Sequence, residues 1–294
     1  MATSANVSVK DIEVSAEHMN VDRAAAIYRD HGCLVVRGLA RRHAENVRID
    51  IEAAVQQAIS MLDQAKKSDE GWITPDGTLF VPAPRGYHRD RQVWVLACNY
   101  RTSAAFLRSA FDPEVVNVVR SILGPDVELY GNGQCLYKEP VGGHPKALHQ
   151  DGAYHEHKFE GPVAVLNYTV DTDLNNGALH VIPGSHSLGL IEHGADSVGH
   201  LGLDERQWPW ERSVPVCGQA GDAIFFGNNT IHGSKENFST GPRPVFVSRY
   251  RRADDFVIAG GTTPENRAKH AAVAAKENQL GLMVCGRRTF EPGR

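Results

Sequence analysis

A chain of 294 residues accommodates one large domain or two small ones. Lys+Arg 31 against Asp+Glu 35 leaves a net charge of −4, without the basic footprint that nucleic acid or an anionic membrane surface needs. Hydrophobic residues at 41% and charged residues at 22% exclude a disordered chain and allow a sizeable core.

The five cysteines are scattered and form no CxxC pair, which fits neither a disulfide framework nor a zinc ribbon and points to a reducing compartment. The opening MATSANVSVKDIEV carries no basic stretch followed by an apolar one, and no apolar run reaches about 18 residues. The ending FEPGR is not of the peroxisomal SKL type. A soluble, unexported, cytoplasmic protein is expected, with no nucleic-acid or membrane partner.

Good helix formers from Val21 to Tyr28 predict a helix ending near His31-Gly32, followed by a short β-branched strand at Cys33–Val36. From Arg41 to about Lys67, Val47, Ile51, Val55, Ala58 and Leu62 recur at helical spacing and predict an amphipathic helix over one face of a sheet. Residues 71–91, rich in Pro, Gly and aromatics, read as a long loop lining or covering a site. Asp112 and Pro113 start a further helix that Gly124-Pro125 stops.

Beyond it the texture changes. Short apolar runs at Val127–Lys138, Val163–Val170, Ala178–Ile182, Ala223–Phe226 and Val245–Tyr250 are separated by turn clusters, as in an antiparallel sandwich or barrel. A single domain is expected over 1–294: helical and loop support over 1–125, a β-barrel core over about 126–254 and a C-terminal extension over 255–294. The stretch Pro264–Gln279 reads as a helix, either packed outside the barrel or serving a homo-oligomer contact.

The chemistry concentrates in His149-Gln150-Asp151. Two residues apart on an extended strand, the imidazole and carboxylate share a face and can grip one ion. With His232, after the run GDAIFF, they make up two histidines and one carboxylate, the facial set of non-haem Fe(II) oxygenases. Arg243, at the head of the next strand-like run, can bind a carboxylate through its planar fork, as the distal carboxylate of 2-oxoglutarate requires. Two rivals stay open at this point. One is a zinc site built on His149, Asp151 and His155, or more generally a non-redox metal barrel; the other is a barrel serving only as an interaction scaffold.

The segments HPKALHQD, NNGALHVIPGSH, GDAIFF, IHGS and GPRPVFVSRYRRAD follow one another as in the phytanoyl-CoA dioxygenase family, which this chain resembles, and HGCLVVRGL resembles the family's opening strand. The resemblance implies a mainly β fold with flanking α-helices, a double-stranded β-helix (jelly-roll, cupin-like) core of two sheets face to face. It implies Fe(II) held by His149, Asp151 and His232, and 2-oxoglutarate anchored by Arg243 with Ser234 as its helper. O2 would be the co-substrate, with succinate and CO2 released. Related halogenases replace the acidic ligand by Ala or Gly, so Asp151 argues against halogenation.

Gln134 and Asn132, on one face of the strand before the metal motif, and Asn167, near a family contact position, are further cosubstrate candidates. Tyr154, Lys138, Arg85 and Tyr87 are the substrate candidates, while His155 and His157 read as loop residues. Hydroxylation of an aliphatic C–H is the default outcome, with desaturation, ring closure and endoperoxide formation as alternatives on the same oxidant. No acyl-CoA-binding motif is evident, so the expected substrate is a small metabolite or biosynthetic intermediate.

Overall fold

The computed structural model describes residues 7–68, 71–82, 93–195, 201–262, 264–268 and 270–289. Near the N-terminus the Asn20 side chain accepts the Arg23 N–H at 2.9 Å and caps the helix Val21–His31. Gly32 closes that helix at φ +70°, where a Cβ would also sit 2.3 Å from the His186 ring, so glycine is required twice over. The strand Cys33–Arg37 follows directly.

The next helix runs only over Arg41–Ser60, shorter than its apolar periodicity predicts. Leu62–Gln64 form a short 3-10 turn, and Lys66–Ser68 join the sheet edge by pairing with Gly71–Ile73. Strand pairing here overrides helical propensity. The expected loop over 71–91 is likewise part β: Gly71–Ile73 and Leu79–Pro82 form a hairpin that continues onto Val93–Cys98. Residues 83–92 lie outside the described residues.

Two sheets pack face to face. The larger has the order Glu13–Ser15, Cys33–Arg37, Ala223–Gly227, Val163–Tyr168, Arg243–Arg252, Gly133–Lys138, Val93–Cys98, Leu79–Pro82, Gly71–Ile73 and Lys66–Ser68, with Val127–Leu129 and Leu282–Cys285 alongside. The smaller is Val214–Val216, Leu179–Val181, His232–Ser234 and Lys146–His149. Period-two alternation explains the layers. Ala164, Leu166, Ile224, Phe226, Val245 and Val247 face Leu179, Val181 and Val216 of the smaller sheet. On the other face Val163, Val165, Phe225, Phe246 and Tyr250 pack with Val47, Ile51, Val55 and Phe106 of the helices. This is the expected double-stranded β-helix with helices on the outer face of one sheet.

Several elements were not predicted from the sequence. The helix Ala104–Ala110 is capped by Ser103, whose hydroxyl accepts the Phe106 N–H at 3.1 Å. Gly131, at φ +63°, breaks the expected strand 127–138 into Val127–Leu129 and Gly133–Lys138. The C-terminal helix is two pieces, Pro264–Ala268 and His270–Glu277, followed by the strand Leu282–Cys285 on Val127–Leu129. Among the described residues no helix is long and apolar enough to cross a membrane.

Candidate metal centre

His149 ends the strand Lys146–His149, Asp151 opens the turn Asp151–Ala153, and His232 begins the strand His232–Ser234 directly opposite His149. Asp151 Oδ1 lies 3.4 Å from His149 Nε2 and 3.7 Å from His232 Nε2. The two imidazole centroids are 4.3 Å apart, and one donor atom from each of the three residues falls within 4.8 Å of the others. His155, the third ligand of the zinc alternative, is elsewhere, with its Nε2 3.4 Å from the Tyr130 hydroxyl.

The donor chemistry suits a divalent metal. Nδ1 of His149 is 2.8 Å from the Ala147 carbonyl, and Nδ1 of His232 is 2.9 Å from the Thr230 carbonyl. A carbonyl only accepts, so each Nδ1 bears the hydrogen and each Nε2 offers its lone pair to the centre. Burial pushes the His149 imidazole down to about 3, with the neighbouring His232 and Lys146 acting the same way, and burial also lowers His232. Burial works to raise the Asp151 carboxyl, but contact with His149 and the charges of His232 and Arg249 outweigh it and keep the group ionised.

Gln150, between the two ligands and fully buried, fixes their turn. Its Nε2 donates to the Gly189 and Asn229 carbonyls at 2.8 and 2.7 Å, and its Oε1 accepts the Ile191 N–H at 2.8 Å. Its backbone N–H donates to His193 Nε2 at 2.9 Å, which gives that histidine a positioning contact. Every polar group of the amide is thereby engaged with the loop behind the centre.

Two buried basic side chains oppose each other on adjacent strands of the larger sheet. Arg243 opens the strand Arg243–Arg252, and its register partner is Lys138. Arg243 donates to the Gly177 carbonyl and Lys138 to the His144 carbonyl at 2.6 Å, while among the described residues Arg243 Nε is buried without a partner. Burial lowers the Arg243 guanidinium to about 10; burial and the adjacent Arg243 charge push Lys138 well below its ordinary range. Gly177, at φ +83°, makes room, since a Cβ there would lie 2.7 Å from the Lys235 carbonyl and 2.9 Å from Lys138 Cδ. Ser234 is buried two residues past His232.

Lys138 therefore stands with Arg243 rather than with the substrate candidates, because its strand pairs it across from the arginine. Asn167 also departs from expectation. It pairs with Phe246 and Ala223 and shares the helix-facing side of its strand with Val163 and Val165, opposite to the interior side of Val245 and Val247. Gln134 is on the interior face, its Oε1 accepting from Arg249 at 2.9 Å, whereas Asn132 precedes the strand and is exposed. Tyr154 accepts from Lys146 Nζ at 3.1 Å. Arg85 and Tyr87 lie outside the described residues. His155 and His157 are in a strand, not a loop, and His157 is buried 3.2 Å from Asp255.

Arg249 is a site residue that sequence reasoning missed. Its guanidinium lies 3.9 Å from Asp151 Oδ2. The signal was its parity: Arg243, Val245, Val247 and Arg249 alternate along one face of a single strand.

Fold and cluster together define a double-stranded β-helix with a two-histidine, one-carboxylate centre, the ligand set of non-haem Fe(II) oxygenases. The chain belongs to the phytanoyl-CoA dioxygenase (PhyH) family, whose model matches residues 28–245. It is 28% identical over 154 residues to a probable alpha-ketoglutarate-dependent hypophosphite dioxygenase of Stutzerimonas stutzeri, covering 50% of this chain and 53% of that protein. It is 26% identical over 209 residues to the peroxisomal phytanoyl-CoA dioxygenase of Rattus norvegicus, covering 66% of this chain and 60% of the relative. The chain thus spans between half and three fifths of these two curated relatives. In fold it is similar to EctD from S. alaskensis with bound Fe, at a TM-score of 0.64, 18% identity and coverage of 96% and 89% of the two chains.

Proposed function

We propose that the protein is an Fe(II)- and 2-oxoglutarate-dependent dioxygenase that hydroxylates an aliphatic C–H of a small metabolite, releasing succinate and CO2. The observation that carries this reading is the buried pair Arg243 and Lys138, which face each other on adjacent strands of the same barrel as the His149, Asp151 and His232 cluster, with Arg243 Nε without a partner among the described residues. Buried charge without a counter-ion is costly. A dianion with one carboxylate at the cations and a keto-acid end at the metal satisfies both.

His149, Asp151 and His232 hold the Fe(II), and Asp151 fills the position a halide would need. Arg243, Ser234 and Lys138 take the distal carboxylate of 2-oxoglutarate, while Gln134 and Arg249 set the wall beside Asp151. Bound iron supplies the O2 activation that is coupled to keto-acid decarboxylation. The chain supplies orientation and a water-poor interior between the sheets. One core joins helices and sheet, in keeping with a single domain, and the five cysteines are all free thiols, in keeping with a reducing, cytoplasmic setting.

Anaerobic addition of Fe(II) and then 2-oxoglutarate to the apo-protein tests this directly. A visible metal-to-ligand charge-transfer band is expected, lost in Asp151→Ala and weakened in Arg243→Ala. Absence of the band, with tight Zn(II) binding in its place, would overturn the reading in favour of a non-redox metal barrel.

A further inference from the structure

Lys146 precedes His149 by three residues in the strand Lys146–His149. A regular strand would turn the two side chains to opposite faces. The pairing is irregular here: His149 lies opposite His232 while Lys146 lies opposite Ser234, so this strand holds one extra residue. Such a bulge re-aims a side chain, and it brings Lys146 onto the face that carries both histidines.

The Lys146 ammonium donates to Tyr154 Oη at 3.1 Å and lies 5.6 Å from the ring centres of both Trp94 and Tyr154. Among the described residues it forms no ion pair with a carboxylate; the nearby Asp151 contacts His149, His232 and Arg249 instead. Tyr154 Oη also accepts the Leu201 N–H at 3.4 Å. With two donors on that oxygen, its own proton is left to seek an acceptor. An N–H and an O–H donor therefore meet, with no carboxylate between them among the described residues.

Lys146 also lines a cavity of about 380 Å³, walled by Trp94, Ala147, Leu201 and Leu203. Asp204, the carboxylate in this lining, is held by Arg206 at 2.7 Å. The volume suits a small metabolite.

We propose that this cavity is the substrate pocket, and that Lys146 and Tyr154 bind an oxyanion of the substrate, a small organic acid whose apolar skeleton lies along Trp94. The inference rests on the dioxygenase reading and assigns what that reading leaves open, the chemical class of the substrate. Lys146 is thereby a specificity-determining residue.

The test uses the 294-residue chain loaded with Zn(II), which cannot turn over, and saturated with 2-oxoglutarate so that the proposed cosubstrate site at Arg243 is filled. Phenylacetate, hexanoate and phenylphosphonate are compared with phenylacetamide and hexanamide by saturation-transfer NMR. The anions are expected to bind about tenfold more tightly than the amides, the scale of one charge-assisted hydrogen bond. That ratio should fall to near one in Lys146→Met and recover in Lys146→Arg. Equal binding of acids and amides, a preference that survives Lys146→Met, or no signal from any anion overturns the inference. Failure of 2-oxoglutarate itself to bind would instead sink the dioxygenase reading, so the two failures are distinguishable.

Discussion

Arg243 and Lys138 oppose each other across adjacent strands at 2% exposure each, and among the described residues neither forms an ion pair with a carboxylate. A fold gains nothing from two adjacent buried cations, since each loses hydration and each repels the other. Binding of an anion, as proposed for the distal carboxylate of 2-oxoglutarate, would account for the pair.

Arg243→Met should therefore separate stability from binding. Removing an uncompensated buried charge should leave the apo-protein as stable as before, or more stable by about 1 kcal/mol. Losing the guanidinium fork should weaken 2-oxoglutarate by tenfold or more. Urea unfolding of the apo-protein and anaerobic 2-oxoglutarate titration measure the two effects. A destabilised variant with unchanged cosubstrate affinity would make Arg243 a structural residue.

Gly233 separates His232 from Ser234 and touches the strand that carries His149. A Cβ there would lie 2.8 Å from the Lys146 carbonyl and 3.0 Å from both the Ala147 carbonyl and the Leu148 nitrogen, all backbone atoms that cannot rotate away. Gly233→Ala should force these two strands apart, at a cost of about 1–3 kcal/mol in stability. Because both histidine ligands ride on them, metal affinity should fall at least about tenfold. Isothermal titration with Co(II), beside a thermal melt of the same sample, checks both.

Much of this site was legible because strand parity and motif order are local properties. His149 and Asp151 could be paired from strand spacing, His232 joined them through the order of the family's motifs, and the strand Val163–Tyr168 could be read from its apolar run. Asn167 failed by one residue, which on a strand reverses the face. Lys138 was placed correctly on its face, but its partner across the sheet depends on register, which no single segment encodes. Lys146 was hidden by a bulge, and Arg249 by its place in the charged run Arg249-Tyr250-Arg251-Arg252, which reads as surface.

His180 should add a pH dependence to stability. It is buried on the strand Leu179–Val181, with Nδ1 2.9 Å from Ser213 Oγ, whose proton goes to the Trp210 carbonyl at 2.6 Å. Burial, helped by the charge of Lys235, lowers its pKa to about 4. Between the ordinary histidine value of about 6.5 and pH 4 the unfolded chain binds a proton that the folded chain does not. Its contribution is thus complete above about pH 6.5 and is lost as pH falls towards 4. Urea midpoints from pH 7.5 to 4.5 should fall less steeply in His180→Asn than in the unsubstituted protein; parallel slopes would remove His180 from the account.

Glu128 and Arg251 test the far end of the long strand. Both side chains are fully buried, with Arg251 Nε 2.5 Å from Glu128 Oε1. Glu128 Oε2 accepts the Gly281 N–H at 2.9 Å and a contact from Arg288, so this one carboxylate ties the C-terminal segment to the barrel. Glu128→Leu removes the carboxylate that contacts the buried Arg251 guanidinium and should cost about 3–5 kcal/mol. Glu128→Leu combined with Arg251→Met removes both charges and should recover most of that loss. A urea double-mutant cycle provides the measurement. If the double variant is as unstable as Glu128→Leu alone, the damage comes from release of the strand Leu282–Cys285, and the carboxylate's role is to hold that strand rather than to neutralise Arg251.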